Sequence, residues 1–185
     1  MSDAHAWAED LASPDLGRRA AAAVQFYRTG VDLVKDFVDS WRQDPQFAVL
    51  LTGEPIVGVA VPPDLFQRIR GQMDAPALAD VPPEQNTAEF EVEAEGIHLD
   101  VLTPIDGAGA IQKFLDRFGP GIQQVELPVN DVAAATDLLT SRFGLKAVYP
   151  EPRPGSNGTR VNFFLAEKPG GGKLLIELFE AKRER

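Results

Sequence analysis

Four kinds of side chain in this sequence could move a proton or hold a cation, and they fall in three short runs. Gln124 and Glu126 are two residues apart in QQVELPV, His98 and Asp100 are two apart in IHLDVL, and Glu177 lies in KLLIELFE. Side chains two apart on a strand share a face, so each pair becomes one polar face of a strand. The opposite faces are apolar: Val125, Leu127 and Val129 in the first run, Ile97, Leu99 and Val101 in the second. Glu177 is more constrained. Its strand is apolar on both sides, with Leu175 and Phe179 flanking it on its own face. A carboxylate in such a place is costly unless it is paired, protonated or bound to a cation. A basic neighbour such as Arg160 or Lys173 would serve; so would a functional site. The Asp/Gln/Glu set with His98 is oxygen-rich, which would suit Mg²⁺, Mn²⁺ or Co²⁺ better than a structural zinc. A cleft that binds through hydrogen bonds alone is the alternative.

Composition narrows the chemistry. There is no Cys, which excludes disulfides, thiolate ligands and a thiol nucleophile. The two His residues, His5 and His98, exclude any mechanism needing a His cluster. The net charge of −10 repels phosphate backbones and anionic lipid, so neither nucleic acid nor membrane is an expected partner. No apolar run is long enough to span a bilayer, and MSDAHAWAED lacks the basic and apolar regions of a signal peptide. A cytoplasmic protein acting on a small molecule, in a possible homodimer, is the expectation.

The elements that must carry these residues follow from periodicity. Residues 1–12 read as frayed. Ser13-Pro14-Asp15 reads as a helix start with Ser13 as cap, and Val24, Tyr27, Val31, Val34, Val38 and Trp41 form an amphipathic stripe, widened by Phe26, Leu33 and Phe37. Gly30 would split or kink that helix. FAVLL (47–51) and IVGVAV (56–61) read as strands, and a helix opens at Asp64. Residues 74–86 read as loop. Glu89–Glu93 reads as a half-buried strand whose acids are a solvated face; Glu95-Gly96 is a tight turn, then comes the strand of His98 and Asp100, then a helix over AIQKFLDRF. In RFGPGIQQVELPVND a turn, a strand and a helix start follow in order, with Asn130 and Asp131 as caps and Gly144 closing the helix. LKAVYP, TRVNFFLA and KLLIELFE complete a set of strands; GSNG and PGGGK are turns, not phosphate loops, because neither joins a strand to a helix.

A repeat emerges. VGVAVPPD leads into a helix, strands and IHLDVL; VELPVND leads into a helix, strands and LLIELF. Asp100 and Glu177 occupy the same place in the last strand of each unit. The fold class expected is α+β, two paired βαβββ modules forming a cleft, with three regions: an N-terminal helical extension (1–46), a first, eroded module (47–116) and a second (117–185).

With those motifs in view, the chain resembles the vicinal oxygen chelate superfamily, which includes glyoxalase I, extradiol dioxygenases, bleomycin and fosfomycin resistance proteins and methylmalonyl-CoA epimerase. GPGIQQVELPVNDVAAATDLL is similar to the epimerases' G-x-G-[IL]-H-H segment and the strand–helix that follows. EPRPGSNGTRVNFFLAEKPGGGKLLIELFE resembles their carboxy-terminal P-R-x-G … L-(I/V)-E-L ending, and VPPEQN resembles V-x-E-Q-G. The resemblance runs from about residue 54 to 180. It implies one divalent metal ion held by four residues, carried here by Asp100, Gln124 and Glu177, with Ile56 in place of the fourth and Gln124 in place of a His. It also implies proton abstraction beside a carbonyl, by an isomerase, epimerase or lyase acting on a small molecule or acyl thioester. Glu177, Glu126 and His98 are then the candidate catalytic groups, and Asp80 falls near a family acid. A non-catalytic, bleomycin-resistance-type binding protein, or a degenerate partner subunit, would have the same fold.

Overall fold

The computed structural model describes residues 3–94, 96–168 and 171–181; the expected turn residue Glu95, part of PGGGK and the basic end of the chain lie outside them. The described chain divides into two compact units, one of residues 1–30 and 56–123, the other of residues 31–55 and 124–185. The helices before residue 49 are therefore shared between the units.

In the first unit, residues expected to be frayed form helix α1 (Asp3–Leu11). Ala8 and Leu11 are fully buried, and Trp7 meets Phe26 edge to face with ring centroids 5.5 Å apart. Burying that apolar face outweighs fraying of so short a helix. Helix α2 (Leu16–Arg42) follows. Its cap is Asp15 rather than Ser13: Arg18 N donates to Asp15 Oδ1 at 2.8 Å, while Ser13 Oγ accepts only from Asp15 N. The buried line of α2 runs through Ala22, Ala23 and Phe26, then Val34, Val38 and Trp41, with Val24, Tyr27 and Val31 half-buried. Gly30 neither splits nor ends the helix.

Strand β1 (Ile56–Ala60) leads to helix α4 (Pro63–Gln72), where Pro63 takes the first helical position, which needs no N–H partner. A loop and a 3₁₀ turn over Pro83–Gln85 precede β2 (Thr87–Ala94) and β3 (Ile97–Pro104). β3 pairs antiparallel with β2 and parallel with β1. One sheet face buries Val57, Val59, Phe90, Leu99 and Val101 against Phe26, Leu65, Phe66 and Ile69. The expected parity of β1 and β3 holds. On the other face Ala60 and Leu102 pack against Ile111, Phe114 and Leu115 of α5 (Gly109–Phe118).

In the second unit, FAVLL is not a strand. Asp44 accepts from Gln46 N and Phe47 N, and with Pro45 at the first position this caps a short helix, α3 (Pro45–Ala48); only Leu51 bridges to Val129. Local capping wins over β-propensity here. Phe47 stacks edge to face on Trp41 at 5.5 Å, and Trp41 also meets Phe143. β4 (Gly121–Pro128) leads to α6 (Val132–Phe143). As expected, Asp131 caps it, accepting from Ala134 N, and Gly144 ends it in the left-handed region at φ 67°. LKAVYP contributes one bridge, Ala147 to Phe164, instead of a strand. The edge is β5 (Arg153–Pro154), set beside β6 (Arg160–Glu167). β6 pairs antiparallel with β7 (Lys173–Glu180), and β7 runs parallel to β4.

Asp44 carries a pH-dependent contact. The Arg142 guanidinium holds its carboxyl below the usual range, and the two backbone N–H groups of α3 add to this. A carboxyl depressed in the folded state stabilises above its unfolded value near 4 and loses that contribution as pH falls through the folded one. Urea unfolding at pH 6 and pH 3 should therefore show a smaller pH-dependent loss for Asp44→Asn than for the parent chain, since asparagine keeps the cap without the charge.

Candidate functional site

The strand registers align the two halves of the repeat. Gly58 lies opposite Asp100 in the first unit, and Glu126 opposite Glu177 in the second. With Val57 set against Val125, as the sequence repeat sets them, these registers put Asp100 at the place of Glu177, Gly58 at that of Glu126 and Ile56 at that of Gln124.

The second unit brings three candidate residues together. Gln124, Glu126 and Glu177 are each under a tenth exposed. The Gln124 carboxamide donates from one nitrogen to both acids, to Glu126 Oε1 at 2.9 Å and to Glu177 Oε2 at 2.7 Å. This orientation is the electrostatically favoured one, since the reverse would press a carbonyl oxygen against two carboxylates. Two buried acids are thus held side by side by the two protons of one amide. Of the basic residues considered for Glu177, Arg160 pairs with Glu180 at 3.6 Å and Lys173 with Glu167 at 3.9 Å.

The first unit brings together His98, Asp100 and Glu91, an acid that strand periodicity had placed on a solvated face. Glu91 lies opposite Asp100 and Glu93 opposite His98, so all four share one sheet face. His98 Nε2 is 3.6 Å from Glu91 Oε2 and 3.4 Å from Glu93 Oε1. Ligand atoms of Glu91, His98 and Asp100 lie within 4.8 Å of one another. The signal was present in the chain: the turn expected from the sequence at Glu95-Gly96 would set Glu91 across from Asp100, the pair that the β2–β3 register gives. Asp80 is exposed on the loop that reaches β2 through Ala79 N, which donates to Glu89 O.

The metal set implied by the resemblance does not fit these residues. Ile56 is buried and offers no donor atom, and Gln124 turns its N–H groups, not its oxygen, toward Glu177. A possible metal-holding group exists instead at Glu91, His98 and Asp100.

Neither a protein-family model nor a curated protein sequence matches the chain. Solved structures do. Methylmalonyl-CoA epimerase from Mycobacterium tuberculosis is similar at 34% identity and a TM-score of 0.60, over 72% of this chain and 91% of that one. A Streptomyces coelicolor methylmalonyl-CoA epimerase variant in complex with 2-nitronate-propionyl-CoA matches at 25% identity and a TM-score of 0.57, over 72% of this chain and 99% of that one. A methylmalonyl-CoA epimerase in complex with methylmalonyl-CoA and NH₄⁺ matches at 25% identity and a TM-score of 0.56, over 71% and 95% of the two chains. The chain belongs to the vicinal oxygen chelate superfamily, among its methylmalonyl-CoA epimerase-like proteins. Among the described residues, no helix is long and apolar enough to cross a membrane.

Proposed function

We propose that the chain is an epimerase-type isomerase that moves a proton on the carbon between two carbonyls of an acyl thioester of the methylmalonyl-CoA kind. The observation that carries this reading is the buried Glu126–Gln124–Glu177 cluster. Abstraction beside a carbonyl needs a base held near the carbon and a group that returns the proton. Two adjacent carboxylates can divide those roles, because only one of a closely placed pair readily bears the charge at a time. In this reading Glu177 takes the proton from C2, Glu126 exchanges it with Glu177, the Gln124 amide orients both, and inversion requires the planar enolate to turn its other face to the pair before the proton returns to C2. Similarity to epimerases whose solved complexes hold acyl-CoA ligands supports the substrate class. This reading assigns no step to His98, to Asp100 or to a metal ion.

The test is deuterium exchange at C2 of methylmalonyl-CoA in D₂O, followed by proton NMR. The parent chain should accelerate exchange well above buffer, and Glu177→Gln should lower the rate by on the order of 10²–10⁴-fold. A parent chain that leaves exchange at the buffer rate would sink the proposal. The second reading, a small-molecule binder without chemistry, is favoured by one feature: Gln124 stands where the relatives' motif has a His. Acyl-CoA binding by calorimetry without exchange would select it.

A further inference from the structure

We propose that the β2–β3 hairpin of the first unit is a binding site for one divalent transition-metal ion, held by Glu91, His98 and Asp100. This is a different donor set from the one the resemblance implies, and it lies on one unit's own two strands. Three observations carry it. The donors are mixed, two carboxylates and an imidazole, and their ligand atoms already lie within 4.8 Å of one another. The register makes them neighbours on one face: Glu91 directly opposite Asp100, and His98 two residues along from Asp100. Last, His98 Nε2 is enclosed and makes no hydrogen bond, although it lies 3.6 Å and 3.4 Å from carboxylate oxygens of Glu91 and Glu93. An enclosed imidazole nitrogen facing carboxylates is an arrangement that a cation between them satisfies.

The repeat sharpens the point. Phe163 stands opposite Glu177 in the second unit as Glu91 stands opposite Asp100, and Leu175 occupies the position of His98. The two polar residues that complete the trio are thus particular to the first unit, not a by-product of the fold. Around an ion at about 2.1 Å, neighbouring ligand atoms sit roughly 3 Å apart. The trio must therefore contract, and Glu91, with a side chain 50% exposed, has room to swing inward. Glu93 remains beside the imidazole as an outer carboxylate. One nitrogen and two oxygens from one side leave positions for water or a ligand, and the nitrogen favours Mn²⁺, Co²⁺, Ni²⁺ or Zn²⁺ over Mg²⁺ or Ca²⁺.

The test is titration of the full, chelator-treated chain with Co²⁺, followed by visible absorption and by NMR of the two His side chains. The expected result is one equivalent bound, with His98 resonances perturbed and His5 resonances unchanged. His98→Gln and Glu91→Gln should each weaken binding at least tenfold; Glu91 is an exposed strand position, so its variant is informative even if the His98 variant misfolds. Glu177→Gln should leave the affinity unchanged. Absence of Co²⁺ binding at millimolar concentration, binding indifferent to both hairpin variants, or loss with Glu177→Gln would each overturn the proposal. Because the titration reads binding alone, its outcome does not depend on whether methylmalonyl-CoA exchanges its proton.

Discussion

Gln124→Leu is expected to destabilise the chain by about 2–4 kcal/mol, measured by urea unfolding at neutral pH. Leucine is close in size and suits the apolar surroundings, so the loss comes from the two hydrogen bonds. The amide holds Glu126 at 2.9 Å and Glu177 at 2.7 Å, all three side chains being buried. Removing it leaves two neighbouring carboxylates without the donor between them. The effect should be non-additive. In a Gln124→Leu background, Glu177→Gln removes one of the two adjacent acids, so the double variant should lose less than the sum of the singles. Gln124→Glu should be worse than leucine, because it adds a third acid to the pair. Stability of Gln124→Leu within about 0.5 kcal/mol of the parent would show that the amide does not hold the acids.

A second large effect is expected at Gly30. Helix propensity alone predicts that Gly30→Ala stabilises a helix interior by about 1 kcal/mol. The structure predicts the opposite. A Cβ at Gly30 would fall 2.5 Å from Val57 Cγ2 and 2.6 Å from its Cγ1, and Val57 is fully buried in β1. Neither the strand nor the valine can retreat without disturbing the core, so Gly30→Ala should cost about 1–3 kcal/mol and Gly30→Val more. Val57→Ala combined with Gly30→Ala should recover part of the loss, since the smaller strand residue makes room. Thermal unfolding of the three variants gives the answer; a Gly30→Ala protein as stable as the parent would mean that α2 does not lie this close to β1.

The contrast at Gly30 marks where the sequence stops being sufficient. As a letter it reads as a helix breaker. In the fold it is a point where a continuous helix lies too close to a strand for a Cβ, and that follows from Val57, which lies well beyond it in the chain. FAVLL shows the same limit in reverse: its composition favours a strand, yet the Asp44 cap, Pro45 and the packing of Phe47 on Trp41 make it a helix. LKAVYP likewise has strand-like composition but supplies only a bridge.

What the sequence by itself determined was parity and repetition. Period-two alternation placed Val57 and Val59, Leu99 and Val101, and Val125 and Leu127 on buried faces, and it set Gln124 beside Glu126 and His98 beside Asp100. The repeated strand–helix–strand pattern made Asp100 and Glu177 equivalent, and the motifs carried the superfamily. These are properties of neighbours in the chain, which local geometry fixes. The tertiary structure decided which polar groups meet. It joined Gln124 and Glu126 to Glu177, far along the chain, with the amide protons directed at both acids, and it set Glu91, read as a solvated strand face, against Asp100 and His98. Such contacts depend on strand order and register, which are set by burial of whole sheets and not by any short run of residues.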